Sequence, residues 1–300
     1  MKKVLLTGAT GFIGRECIPF LLKSGYEVHA VSSKVVKTVQ ADVYWHQANL
    51  LDLGQVRELM ARVQPSHLLH MAWYAIPGKY WTSIENFQWV QASLELLQTF
   101  VQHGGQRVVM AGTCAEYDWK YGYCSEEITP LSPTTVYGSC KHSLQIMLTA
   151  FARQTGISAA WGRIFFLYGP YEYPTRLVAS VIRSLLKGEP ARCSHGNQIR
   201  DFLYVEDVAS AFVALLKSDV QAAVNIGSER PVPLKEVVFK IGEKIGCLDL
   251  IRLGEITTAT DEPPLLVADM RKLKEQVNWT PQHSLEVGLD KTIQWWKNNV

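Results

Sequence analysis

Along the first 166 residues, short and continuously apolar runs alternate with longer stretches whose apolar positions recur every three or four residues. The short runs predict strands at Lys3–Thr7, Glu27–Ser32, Val43–His46, His67–Met71, Arg107–Gly112 and Ile157–Phe166. The longer stretches predict helices over Phe12–Ser24, Leu53–Val63, Trp81–His103 and Thr135–Thr155. Strand and helix in regular alternation predict a parallel sheet covered by helices on both faces, an α/β, Rossmann-like, doubly wound fold. Past Phe166 the rhythm changes. Tyr168-Gly169-Pro170 opens a turn-rich stretch, followed by a helical pattern over Arg176–Lys187. A strand–helix pair at Phe202–Lys217 and a strand at Ala223–Gly227 read as a return to the sheet, and Lys235–Gly246 and Leu285–Asn298 as further helices. The expected division is a sheet domain over 1–166, completed by about 200–227. A smaller interleaved lobe takes about 167–199 and 228–300.

Composition narrows the class. Of 300 residues, 47% are hydrophobic and 19% charged, which excludes a disordered or fibrous chain. Net charge is +2 with no long basic run, so no nucleic-acid partner is expected. The apolar run Val4-Leu5-Leu6 stops at Gly8, too short for a membrane span or a signal peptide, so the expectation is a cytoplasmic protein without membrane contact. Six cysteines show no C-x-x-C pairing and no histidines at zinc spacing, and read as reduced thiols with no metal.

Chemistry first shows after the first strand. Gly8, Gly11 and Gly14 frame the turn Thr7-Gly8-Ala9-Thr10-Gly11-Phe12-Ile13-Gly14, between a predicted strand and a predicted helix. Such a turn lets the backbone approach a dinucleotide pyrophosphate, which then sits on the free N–H groups of the helix end. An acidic residue about 20 positions on usually holds the adenosine ribose hydroxyls. Here, 18 residues past Gly14, stand Ser32, Ser33 and Lys34. No carboxylate repels a 2′-phosphate, and two hydroxyls, an ammonium and Arg15 suit one, so NADP(H) is favoured over NAD(H).

Tyr137 and Lys141 lie four apart at the start of a helical pattern, hence on one face. A neighbouring ammonium favours the phenolate and is expected to depress the tyrosine pKa, as acid–base work at a carbonyl needs.

Together with the fifth-strand end Ala111-Gly112-Thr113-Cys114-Ala115-Glu116-Tyr117, these motifs resemble the extended short-chain dehydrogenase/reductase family, which includes nucleotide-sugar epimerases, dehydratases and reductases. The likeness runs nearly end to end. It includes His70-Met71-Ala72, Arg163 to Pro170, Arg200 to Val208, Asn225-Ile226-Gly227 and Asn278-Trp279-Thr280-Pro281. It implies Thr113, Tyr137 and Lys141 as catalytic residues. It also implies Asn49-Leu50 and Met71-Ala72 beside the cofactor, although Asn49 stands where an Asp commonly contacts adenine. Arg200 matches an arginine that binds the substrate diphosphate. Phe166 replaces the usual substrate-binding Asn, and Trp89 a structural Asn. Near Thr257–Thr260 there is no counterpart of a second diphosphate arginine, for which Arg176 is a candidate substitute. Trp73 and Tyr117, from aromatic-rich loops at strand ends, are candidates to stack the substrate. Helices carrying Trp89–Phe100 and Tyr137–Phe151 resemble the family's four-helix dimer seam, so a homodimer is expected.

Reaction type is read from what is missing. Family dehydratases carry acidic residues just after the catalytic threonine, where this chain has Cys114 and Ala115; the fucose-synthase type places a cysteine at the Ala115 slot. Single hydride transfer remains. With an NADP(H) reading, this favours a reductase of a nucleotide-linked 4-keto-6-deoxysugar, with an NAD-dependent C4 epimerase as the alternative. A 4,6-dehydratase and a non-catalytic dinucleotide sensor stand further back.

Overall fold

In the computed structural model, residues 2–36, 42–258 and 262–300 are described. Strands β1 (Lys3–Thr7), β2 (Glu27–Ser32), β3 (Val43–Gln47), β4 (His67–His70) and β5 (Arg107–Thr113) are joined in one parallel sheet by two later strands, Ser158–Ile164 and Ala222–Ile226. The order across the sheet is Ala222–Ile226, Ser158–Ile164, β5, β4, β1, β2, β3. Both faces are buried across β1, β2, β4 and β5, while the edge strand β3 leaves Tyr44 and Gln47 exposed. Val4 and Leu6 of β1 face a core with Ile18, Leu21, Val208 and Phe212, while Leu5 faces Val56, Leu59, Leu96, Phe100, Leu144 and Leu148.

Four helices connect the early strands: α1 (Gly14–Lys23), α2 (Leu53–Val63), α3 (Glu85–Gln102) and α4 (Val136–Thr155). Asp52 caps α2 by accepting from the N–H groups of Gly54 and Gln55, and Thr135 caps α4 through Gly138. Ile13, at the N-cap of α1, offers no side-chain cap, leaving the helix's positive end to an outside anion. Helix α3 begins at Glu85, four residues later than the periodicity predicts at Trp81, because Ser83 Oγ accepts the Glu85 N–H and stops the helix there.

The strand Ile199–Tyr204 departs from expectation. It does not enter the central sheet but heads a second one, flanked by Pro231–Pro233, Leu265–Ala268 and Phe166–Tyr168. Its helix, Val205–Lys217, nonetheless returns to pack on the α1 side of the central sheet. The strand–helix rhythm reveals the pair but not the sheet that owns each member.

Candidate active site

The glycine turn has the shape its residues require. Gly8 has φ +67°, and a Cβ there would sit 2.8 Å from Ala72 N and 2.9 Å from Met71 C. A Cβ on Gly14 would lie 2.1 Å from Gly8 O, so α1 can approach β1 this closely only through glycine. Thr7 ties the turn to the end of β4: its Oγ1 accepts from the N–H groups of Met71 (3.1 Å) and Ala72 (3.2 Å) and meets His70 Nδ1 at 2.7 Å. On the other side of the ring, His70 Nε2 lies 2.9 Å from Ser93 Oγ, which donates to Trp89 O. With both serine and threonine roles fixed, the histidine carries its proton on Nε2 and accepts at Nδ1. Burial pushes its pKa down to about 3, so it is a neutral strut.

Of the other residues read toward the cofactor, Ser32 is buried, its Oγ accepting the Lys34 N–H at 3.1 Å, while Ser33 and Lys34 are exposed. Arg15 donates to Thr10 O (2.6 Å) and Gly11 O (3.2 Å), with its guanidinium 3.7 Å over the Tyr171 ring. Thr10, Gly11 and Asn49 are exposed and Leu50 is buried; Phe12, Met71 and Ala72 are half-buried. Asn49 Oδ1 accepts the Leu51 N–H.

Thr113, Tyr137 and Lys141 come together where β5 ends and α4 begins. Thr113 Oγ1 accepts the Ala115 N–H and lies within hydrogen-bonding reach of the Tyr137 phenol. Lys141 Nζ donates to Ala111 O at 2.9 Å and rests 3.6 Å over the Trp73 ring. One expectation is corrected here. Tyr137 is not held below the usual phenol value: burial pushes it up, the Tyr80 phenol adds to this, and the Thr113 hydrogen bond opposes it. The Lys141 charge is spent on Ala111 and the Trp73 face, and burial pushes that ammonium itself down to about 7.

Two aromatics missed in the sequence pack against Tyr137, and one from the aromatic-rich 117–123 loop backs them. Tyr80 packs edge-on at 4.8 Å and Trp81 at 5.7 Å, with Trp119 edge-on to Trp81 at 6.1 Å; the Tyr137 N–H donates to Trp81 O. The crowding of Trp73, Tyr74, Tyr80 and Trp81 was the available signal. Arg176 reaches this cage with its guanidinium 5.9 Å over Tyr80. Beside it lies Glu172, buried with Oε2 unpartnered and pushed up to about 8 by that burial.

One substrate reading changes, and another gains a partner. Tyr117 is 2% exposed, and its hydroxyl donates to Asn225 Oδ1 (2.7 Å) and accepts from Arg163 (3.1 Å); it is an interior strut with no face left for a ligand. Arg200 is also buried. It pairs with Glu262 at 3.1 Å, and its guanidinium lies 5.1 Å over Phe166. One turn before Trp89, Asn86 is fully buried, accepts from Trp73 Nε1 and donates to Tyr80 O and Ser83 O. The stretch 257–260 runs partly outside the described residues.

All six cysteines are free thiols, and burial holds Cys114, beside Thr113, well above the usual thiol value. Among the described residues, no group of three or more His, Cys, Asp or Glu is placed to hold a metal ion, and no helix is long and apolar enough to cross a membrane.

Residues 4–227, the span that holds all seven strands of the central sheet after the first residue of β1, match the NAD dependent epimerase/dehydratase family. The chain belongs to that family. Among curated members, UDP-glucuronic acid decarboxylase 1 of Xenopus tropicalis is 27% identical over 311 residues, covering all of this chain and 73% of the relative. UDP-glucose 4-epimerase of Corynebacterium glutamicum is 27% identical over 308 residues, 94% of this chain and 92% of the relative. Of the solved structures, MoeE5 in complex with UDP-glucuronic acid and NAD is 29% identical, with a TM-score of 0.86 over 100% of both chains. The Thermotoga maritima UDP-glucose 4-epimerase, 24% identical with a TM-score of 0.85 over 99% of each chain, shares the fold. This epimerase/dehydratase member keeps the extended short-chain dehydrogenase/reductase architecture throughout.

Proposed function

We propose that the protein reduces the C4 ketone of a nucleotide-linked 4-keto-6-deoxysugar, with NADPH as the favoured donor. The observation that carries this reading is the meeting of Thr113, Tyr137 and Lys141 where β5 ends and α4 begins. Burial keeps the Tyr137 phenol protonated beside Thr113, as a proton donor to a nascent alkoxide must be. Positions 114 and 115 add no acid or base that would take the sugar further: Cys114 stays a buried thiol, and Ala115 has nothing to ionise.

The chain fits a dinucleotide. The glycine turn leaves the backbone bare, and α1 starts without a side-chain cap, so its N–H groups are directed at an anion. When bound, the nicotinamide supplies the hydride. Tyr137 then delivers the proton, Thr113 hydrogen-bonds the same oxygen as it gains charge, and Lys141 orients the ribose from the floor of the site. Ser32, Ser33 and Lys34 offer no carboxylate to oppose a 2′-phosphate. The second sheet and its flanking helices form the substrate lobe, with Arg200 toward the diphosphate and Phe166 and Arg176 beside it. The outer faces of α3 and α4 expose Phe87 and Ile146, which supports a homodimer across these helices.

A second reading, an NAD-dependent C4 epimerase of a nucleotide sugar, is supported by the 4-epimerases among the curated relatives. The test is a panel of nucleotide-linked 4-keto-6-deoxysugars with NADPH or NADH, followed by loss of absorbance. Loss of NADPH with one of them supports the reductase. Tightly bound NAD, with C4 epimers interconverting and no NADPH consumed, supports the epimerase instead.

A further inference from the structure

Trp73 follows β4 in a loop, 68 positions before Lys141 in the chain, yet its indole lies flat against the lysine ammonium, 3.6 Å from ring centroid to Nζ. The ring is held there from its far edge. Nε1 donates to Asn86 Oδ1 at 2.8 Å, and Asn86 is in turn locked by the carbonyls of Tyr80 and Ser83 at 2.8 and 2.7 Å. Trp89 backs the indole at 6.2 Å. Opposite the ring, Ala111 O accepts from the same Nζ at 2.9 Å. The ammonium is thus gripped between a carbonyl at the end of β5 and an indole anchored on α3.

We propose that Trp73 is a positioning residue for Lys141: its π face fixes the ammonium against Ala111 and balances the loss of water around it. This replaces the expectation that Trp73 stacks the sugar. The inference rests on Lys141 belonging to the active site, but its geometry stands without any turnover.

A cation over the negative face of an indole is stabilised most where water is excluded. The other groups that face Lys141 are few. Glu116, from the turn after β5, favours its charged form, and the Trp161 ring lies 5.9 Å away on the neighbouring strand. His70 at the end of β4 is neutral, and Tyr137, one turn earlier on α4, keeps its proton. Without the Trp73 face, Glu116 and Ala111 O are what remains to hold the charge.

The test changes the face of the ring and leaves its shape almost intact. Tryptophan carrying one, two and three ring fluorines is placed at position 73 by nonsense suppression, and the Lys141 ε-carbon is titrated by NMR without added nucleotide. Its resonance is assigned by its absence from Lys141→Met. Each fluorine weakens the ring's negative face, so the titration midpoint should fall stepwise, by about 0.5–1.5 pH units across the series. Trp73→Phe, with a smaller face, should fall between the extremes. A midpoint that does not move across the fluorinated series would mean that Trp73 only packs, and would overturn the proposal. Absence of reductase activity in every variant and the parent would sink the functional reading and leave this result intact.

Discussion

Glu116 and Arg163 form an ion pair in the interior, 2.7 Å from Oε2 to Nε, directly behind Thr113. The other carboxylate oxygen accepts from the Thr113 N–H (2.9 Å) and the Trp161 Nε1–H (2.8 Å). Arg163 continues to the Tyr117 hydroxyl, and Tyr117 to Asn225. The end of β5 is thereby tied to the two strands beyond it, and Thr113 is held where Tyr137 can reach it.

Breaking this pair from one side leaves an uncompensated buried charge. Glu116→Ala should cost about 3–5 kcal/mol in urea unfolding, and Arg163→Met a similar amount. The two changes combined should cost less than their sum, since neither charge is then stranded. Additive losses would show that the residues act independently.

Lys141 gives a stability signature with a definite sign. Its folded pKa, about 7, lies below the ordinary lysine value of 10.5. Above both values the side chain is neutral in either state and carries no penalty. As pH falls from 10.5 toward 7 the unfolded chain binds the proton first, so folding weakens; below 7 the loss is complete. Lys141→Met removes this dependence. Its stability relative to the parent should be greatest at pH 6–7 and shrink by pH 9, measured as the difference in urea midpoints. A difference independent of pH would contradict the depressed ammonium.

Arg200 is expected to meet the substrate diphosphate, at present sharing its guanidinium with Glu262. Loss of a charge-assisted hydrogen bond costs about 1.5–3 kcal/mol. Arg200→Ala should therefore raise KM for the sugar nucleotide roughly 10- to 150-fold, with kcat changed far less. An unchanged KM in a folded variant would place the diphosphate elsewhere.

Much of this was readable from the sequence, and the failures share a cause. Strands buried on both faces declare themselves as apolar runs, as β1, β4 and β5 do, and all of β1 to β5 fall within a residue of expectation. The glycines and the Tyr137–Lys141 pair are local patterns, and local patterns survive folding. Tyr117 was misread because an aromatic at a strand end looks the same in sequence whether it faces the cleft or the interior; its orientation is decided by Arg163 and Asn225, 46 and 108 residues away. The same distance hid the Glu262 partner of Arg200 and the Trp73 face on Lys141. Tyr137 is the most instructive case. Spacing placed the lysine on its face of α4, but the side chain's charge was claimed by β5 and the Trp73 loop.

Cofactor choice hangs on the end of β2. Parent protein should show a higher kcat/KM with NADPH than with NADH, and Ser32→Asp combined with Lys34→Ala should reverse the order. The new carboxylate would stand beside the 2′-position, where it accepts ribose hydroxyls and repels a phosphate. Equal use of both cofactors by the parent would remove the argument.

The central claim is a single hydride transfer completed by a proton from Tyr137. The direct measurement uses NADPH deuterated at the transferring position, with the 4-keto-6-deoxysugar nucleotide that the panel identifies, and reads the product by NMR. One deuterium should appear at sugar C4 for each NADPH oxidised, and Tyr137→Phe should slow this about 10²- to 10⁴-fold while still binding the cofactor. Product that forms without deuterium at C4 and without loss of NADPH, or at an unchanged rate in Tyr137→Phe, would contradict the account.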